Sequence, residues 1–132
     1  MTHKSEIGKL GEQIACEYLV KHGYRVLERN VLRPWGELDI VVKHKDGTLV
    51  FVEVKTMQPF GSDSDKESLR PEDNLTRAKL TKLQKTALLY AGHYPEHVKG
   101  DKGWRIDLVA VTLQNDLTNM SSNYKISHYE NI

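Results

Sequence analysis

Residues 36–55 read GELDIVVKHKDGTLVFVEVK, and no other stretch restricts the fold as tightly. Two runs rich in β-formers flank a Lys45-Asp46-Gly47 turn, which is the pattern of a β-hairpin. Side chains alternate along a strand. One alternating set is Leu38, Ile40 and Val42 with Val50, Val52 and Val54, all apolar. The other is Glu37, Asp39, Val41 and Lys43 with Leu49, Phe51, Glu53 and Lys55. Placing the six apolar residues on one face requires the pairs Leu38–Val54, Ile40–Val52 and Val42–Val50. That register leaves Lys45-Asp46-Gly47 as a three-residue loop closed by glycine in the left-handed conformation. A two-residue Asp46-Gly47 loop would slip the register by one and divide the apolar set.

The register has a chemical consequence. Asp39 falls opposite Glu53, and Glu37 opposite Lys55, with Cβ atoms about 4.5–5.5 Å apart. Two bare carboxylates at that separation repel, so a positive group belongs between them: Lys55, or a divalent cation shared by both acids. Mg²⁺ prefers oxygen ligands and few protein carboxylates. Asp39 and Glu53 supply two, and the Val54 carbonyl offers a third. Such an ion polarises a phosphate and lowers the pKa of a bound water. Lys55 would orient the attacking water or stabilise charge developing on the phosphate. Together the three groups have the logic of a metal-dependent phosphodiesterase. The plainer alternative is a set of solvated residues at the end of a half-exposed strand, because acid–x–Lys triplets are common.

The rest of the chain frames this hairpin. Ile7, Leu10, Ile14 and Tyr18 recur at helical spacing, so a helix is expected from about Ser5 to His22, with Ser5 as N-cap and Gly23 just past its end. A strand is expected over Tyr24–Asn30, then a turn at Arg33-Pro34-Trp35-Gly36. Residues 58–74, with two prolines and a glycine among polar residues, read as an exposed, mobile loop. A second helix is expected over Leu75–Tyr90 with Leu80, Leu83 and Ala87 on its inner face. Trp104–Leu113 alternates as a strand, 114–123 is polar connection, and Tyr124–Tyr129 reads as an edge strand. The order α-β-β-β-α-β-(β) implies an α/β fold: a mixed central sheet flanked by helices, in which a strand–helix–strand crossover joins the hairpin to 104–113.

Composition bounds the function classes. At 132 residues the chain has the length of one domain, 1–132. No apolar run approaches the roughly 18 residues of a membrane span. The polar start MTHKSEIGKLGEQ lacks a secretory h-region, and the single Cys16 cannot form an internal disulfide, so a cytoplasmic setting is expected. Cys16 reads as a packing residue. Six scattered histidines and one cysteine give no zinc-type spacing. A net charge of +1 argues against a wide sequence-reading interface with nucleic acid, while leaving room for a local basic patch.

The stretch GELDIVVKHKDGTLVFVEVKT closely resembles the G-E-I-D-L…F-V-E-V-K signature of the YraN-like family. These small bacterial proteins are assigned to the restriction-endonuclease-like, PD-(D/E)xK nuclease superfamily and stand near the archaeal Holliday-junction resolvases. GKLGEQIACEYLVKHGYRVLERNVL resembles the family's opening helix and strand, PEDNLTRAKLTKLQKTALLYA its second helix, WRIDLVAVTL its R-F-D strand, and YKISHYENI its final I-x-H-x-x-N-A segment. The resemblance implies a restriction-endonuclease-like fold, with Asp39 and Glu53 binding Mg²⁺ or Mn²⁺ and Lys55 as the catalytic lysine. It also implies that Glu12 on the first helix reaches the same site. The neighbours of Glu12 on its helix face, Gly8, Ala15, Cys16 and Leu19, are small or apolar, which allows a close approach to the sheet. An ordinary exposed helix glutamate is the alternative.

Other residues join the candidate set. Glu37 is either a supporting acid or the partner of Lys55. Lys79 matches a family lysine, and with Arg77, Lys82 and Lys85 it would contact phosphates or else form a solvated helix face. Trp35 would stack on an unpaired base or pack in its turn. Arg105 and Asp107 read as a structural ion pair. Met57 stands where family members often carry an arginine, which removes one phosphate contact. The expected function is metal-dependent endonucleolytic hydrolysis of DNA selected by shape, such as a branch, a flap or a single strand. An edge strand at 124–129 is compatible with a homodimer, as resolvase-like enzymes need two active sites. The rival classes are a DNA-binding module that no longer cuts and a partner-binding accessory protein.

Overall fold

The computed structural model describes residues 5–58, 75–113 and 124–132. The expected loop over 58–74, apart from Gln58, and the expected connection 114–123 lie outside the described residues. Helix α1 spans Glu6–Lys21, where Ser5 caps it by accepting a hydrogen bond from the Gly8 N–H at 3.0 Å. Gly23 follows at φ 88°, a conformation that glycine adopts freely. Strands β1 (Tyr24–Arg33), β2 (Gly36–His44) and β3 (Leu49–Met57) come next. Helix α2 spans Arg77–His93, with Thr76 accepting from the Lys79 N–H at 3.2 Å. A single 3₁₀ turn at Pro95–His97 leads to β4 (Trp104–Leu113), and β5 is Tyr124–Tyr129. No helix among the described residues is long and apolar enough to cross a membrane.

The five strands form one mixed sheet in the order β1-β2-β3-β4-β5. Only β3 and β4 run parallel, and α2 lies in the connection between them, so the expected crossover is present. One face of the sheet carries Ile40, Val42, Val50, Val52, Val109 and Val111 and packs on Ile14, Ala15 and Leu19 of α1. The other carries Val41, Leu49, Phe51 and Ile106 and packs on Leu83, Ala87 and Tyr90 of α2. The sheet is therefore buried on both sides, which explains why β2 and β3 read as nearly continuous apolar runs.

The hairpin closes as the apolar pattern requires. Ile40 pairs with Val52 and Val42 with Val50, and Gly47 sits at φ 99° with its N–H donating to the His44 carbonyl at 2.8 Å. Two expectations fail beyond that point. The paired ladder ends at Ile40–Val52, so Asp39 and Glu53 are not ladder partners. Leu38 packs with Val31, Val41 and Phe51 on the α2 side, opposite to Ile40 and Val42. The neighbouring strand is irregular at the same place. Asn30 adopts φ 50°, so β1 is not regularly extended between Arg29, which pairs with Ile40, and Val31, which pairs with Leu38. The alternation is broken there, and residues on either side of the break change faces.

Candidate active site

The end of the β2–β3 ladder is where the candidate acids gather. Asp39 Oδ2 accepts a hydrogen bond from the Val54 N–H at 2.9 Å. A side chain thus satisfies a backbone donor just where the strand ladder has stopped. On β3, pairing with β4 places Glu53 beside Leu108 and Lys55 beside Ala110. Successive side chains alternate, so Glu53 and Lys55 share the face that also carries Phe51, the α2 face. Both line a cleft of about 660 Å³ between β3, the β1–β2 turn and the first turns of α2. Asp39, Glu53 and Lys55 are all half-buried.

The same cleft is lined by Trp35 and Glu37 from the turn and by Lys79 and Lys82 from α2. The turn is seated closely on the helix. A Cβ at Gly36 would collide with Thr86 Oγ1, so only glycine permits this approach. Trp35 lies against His93, with ring centroids 5.2 Å apart and 23° between the planes. Glu37 is exposed and pairs with Leu32 of β1, while Lys55 lies on β3. The expected cross-strand pair Glu37–Lys55 is thus replaced by two groups on one cleft wall.

Not every expected residue reaches this place. Arg77 opens α2 and is exposed, and it does not line the cleft. Lys85 lines a separate groove with Trp104, Arg105 and Ile132. Glu12 is 3% exposed, on the α1 surface turned to the sheet. Its neighbour Gly11 abuts Thr56 of β3 so closely that a Cβ would strike the Thr56 side chain. Glu12 therefore enters near the end of β3 from the α1 side, while Glu53 and Lys55 face α2. Among the described residues no three His, Cys, Asp or Glu side chains converge as a ready metal cage.

The pair Arg105–Asp107 is the structural element expected of it, and a richer one. Asp107 is fully buried and accepts from Arg105 Nε at 2.9 Å, His128 Nε2 at 2.8 Å and the Asn131 N–H at 3.0 Å. His128 Nδ1 in turn meets the Tyr18 hydroxyl of α1 at 2.8 Å. Burial alone raises the Asp107 carboxyl, but the bonds from His128, Arg105 and Asn131 outweigh it and hold the group below the ordinary carboxylate range. His128 carried no functional expectation, although its segment was part of the family resemblance. Cys16 is buried, and desolvation raises its thiol, as befits an inert packing residue.

A charged cleft opening where two strands of a two-sided mixed sheet part defines an α/β protein with a candidate anion-handling site. Residues 11–111 match the model of the uncharacterised protein family UPF0102, and the chain belongs to that family, the YraN-like group that its sequence resembles. It is 35% identical over 133 residues to a UPF0102 protein of Corynebacterium efficiens, covering 99% of this chain and 94% of that protein. Over 92 residues it is 45% identical to a relative from Syntrophomonas wolfei, covering 68% and 72%. Over 108 residues it is 40% identical to one from Trichlorobacter lovleyi, covering 82% and 78%.

Proposed function

We propose that this protein has the restriction-endonuclease-like fold of the PD-(D/E)xK superfamily and is a metal-dependent DNA endonuclease that selects its substrate by shape. The observation that supports this best is one cleft lined by Glu53, Lys55, Lys79 and Lys82, entered beside Val54, whose N–H is held by Asp39. An acid and a lysine on one strand face, with further cations on the facing helix, is the arrangement that hydrolysis of an anionic ester needs.

The donor set fits Mg²⁺ or Mn²⁺. Asp39 and Glu53 are hard oxygen donors in adjoining positions, and the Val54 carbonyl is a third; a Mg²⁺ ion typically takes one or two protein carboxylates and keeps several waters. Glu12, buried on the α1 side near the end of β3, does not converge with these two carboxylates and is left out of the donor set. When bound, the metal supplies Lewis acidity and an acidified water. The protein's own groups do the rest. Lys55 donates hydrogen bonds to the phosphoryl oxygen on which charge develops. Lys79 and Lys82 hold flanking phosphates. Water adds to phosphorus, the bond to the leaving nucleotide oxygen breaks, and that oxygen takes a proton.

The test is cleavage of a labelled panel of duplex, single-stranded, flap and four-way-junction DNA with Mg²⁺, Mn²⁺ or EDTA, comparing wild type with Asp39→Ala. Cutting that requires metal and vanishes in Asp39→Ala is the expected result. DNA binding without cutting under any condition would leave a binding module, and absence of binding would leave a partner-binding accessory protein.

A further inference from the structure

We infer that the cleft is built for an unpaired stretch of DNA, with one base stacked on Trp35 and its flanking phosphates on Lys79 and Lys82. The inference rests on the DNA reading above and narrows the substrate of that same site.

Shape is the first argument. A volume of about 660 Å³ lies inside the range of roughly 300–1,000 Å³ typical of pockets for small ligands. Duplex DNA is read by a helix or ribbon that protrudes into a major groove about 12 Å wide. Here the charged groups line a concave wall, so a nucleotide must enter the protein rather than the protein enter a groove. An unpaired nucleotide can do so without first being extruded from a stack, a step that costs a few kcal/mol in duplex DNA.

The second argument is the state of Trp35. Its indole is a prepared surface. His93 backs it at 5.2 Å in a stacked arrangement, and the imidazole is itself held because Nδ1–H donates to the Leu89 carbonyl at 2.8 Å. The turn that carries Trp35 is seated on α2 through Gly36 and Thr86. Trp35 is half-buried and lines the cleft, so a rigid aromatic group borders the space where the lysines lie. Little ordering is left to be lost on binding.

The third argument is charge. Lys79 and Lys82 are three residues apart on α2, hence on one helix face, and both line the cleft. Lys55 and Arg33, the latter paired with Glu28 at 3.1 Å, add further cations, while Glu37 and Glu53 in the same lining repel phosphate from their own positions. The phosphates are thereby directed to the α2 side. Stacking on an aromatic with nearby cations is a sequence-tolerant way to bind single strands, and it suits a chain whose net charge is only +1.

The experiment is fluorescence anisotropy of a labelled 12-nucleotide thymidine strand and of a blunt duplex of equal length, at low salt in EDTA, so that binding is read without cleavage. Wild type, Trp35→Ala, Trp35→Phe and Lys79→Ala/Lys82→Ala are compared, each checked for folding by circular dichroism. The single strand should bind at least about tenfold more tightly than the duplex, Trp35→Ala should lose about tenfold of that affinity, and Trp35→Phe should lose much less. The double lysine variant should weaken binding and flatten its salt dependence. If Trp35→Ala does not fold, Trp35→Leu, which keeps an apolar side chain against the core but offers no ring to stack on, and the double lysine variant decide, and wild-type affinity in either overturns the inference. Equal affinity for strand and duplex, or wild-type affinity in a folded Trp35→Ala or double lysine variant, overturns the inference. Metal-dependent cutting of duplex with no strand preference would overturn it while leaving the hydrolase reading in place; strand-selective binding without any cutting would do the reverse.

Discussion

The backbone N–H of Val54 donates to Asp39 Oδ2 at 2.9 Å, one residue beyond the last paired residue of β2, Ile40, and two beyond that of β3, Val52. Asp39 thus closes the open end of the ladder beside the cleft that Glu53, Val54 and Lys55 line, and the proposed function gives its carboxylate a second, separable task as a metal ligand.

Asn in place of Asp39 retains an oxygen that accepts from Val54 but loses the charge. Asp39→Asn should therefore melt close to wild type while metal-dependent cleavage falls at least about 100-fold, or roughly 2.7 kcal/mol of transition-state stabilisation. Asp39→Ala should lose activity and also about 1–2 kcal/mol of stability, because the Val54 donor loses its acceptor. Thermal melting and single-turnover cleavage on the same preparations separate the two effects. Wild-type cleavage by Asp39→Asn would remove Asp39 from the chemistry.

Lys55 should act in the transition state more than in binding. Its ammonium faces the cleft beside Glu53, where it meets charge that develops only as the phosphate reacts. Lys55→Met should lower the cleavage rate about 100–1,000-fold, the range seen when one electrostatic donor is removed. Affinity for single-stranded DNA in EDTA should change little, since only one phosphate contact of several is affected. A large loss of affinity with the rate at saturation unchanged would make Lys55 a binding residue.

The legible parts of this protein were those governed by local period. The Lys45-Asp46-Gly47 loop and the pairs Ile40–Val52 and Val42–Val50 follow from apolar alternation alone, and so does the common face of Glu53 and Lys55. Leu38 escaped because the alternation of β2 breaks between it and Ile40, beside the irregular Asn30 of β1, and no local pattern marks such a break. On α2, Tyr90 continues the stripe of Leu83 and Ala87, whereas Thr86 is buried although it is polar. Thr86 is covered by the Gly36 turn, and the Tyr90 hydroxyl is satisfied by Glu28 at 3.0 Å. The covering of Thr86 and the bond to Glu28 are tertiary facts with no local signal. Arg77 and Lys85 looked like partners of Lys79, but at about 100° per residue they lie about 200° and 240° around the helix from it. Asp107 was visible as half of an ion pair, while the bond to it from His128 across β4 and β5 required the sheet.

Gly11 is where α1 meets the end of β3. A Cβ there would collide with Thr56 Oγ1 and come within 2.8 Å of Thr56 Cβ. The strand is held there by β4, in which Val111 pairs with Thr56. Gly11→Ala should cost about 1–3 kcal/mol by overpacking, despite the better helix propensity of alanine. Urea denaturation of Gly11→Ala alone and combined with Thr56→Ala is the check, with partial recovery expected in the double variant. Additive losses would show that the two residues do not touch.

Asp107 should set the acid limit of stability. Its carboxyl is fully buried, and bonds from His128, Arg105 and Asn131 hold it below the 3.8 of an unperturbed aspartate. A carboxyl whose folded value is depressed contributes fully above the unfolded value, and the contribution is lost as pH falls through the folded one. Wild type should therefore lose stability as pH falls below 3.8, when the unfolded chain takes up a proton that the folded chain refuses. Asp107→Asn keeps the shape and removes the charge, leaving Arg105 paired with the exposed Glu130 at 3.1 Å. It should cost about 1–3 kcal/mol at neutral pH, because buried donors lose a charged acceptor, and its stability should fall less steeply in acid. Thermal melting from pH 7 to pH 3 measures both. An acid limb in Asp107→Asn as steep as that of wild type would mean that other carboxylates carry it, and that the bonds converging on Asp107 fix the position of β5 without governing the response to pH.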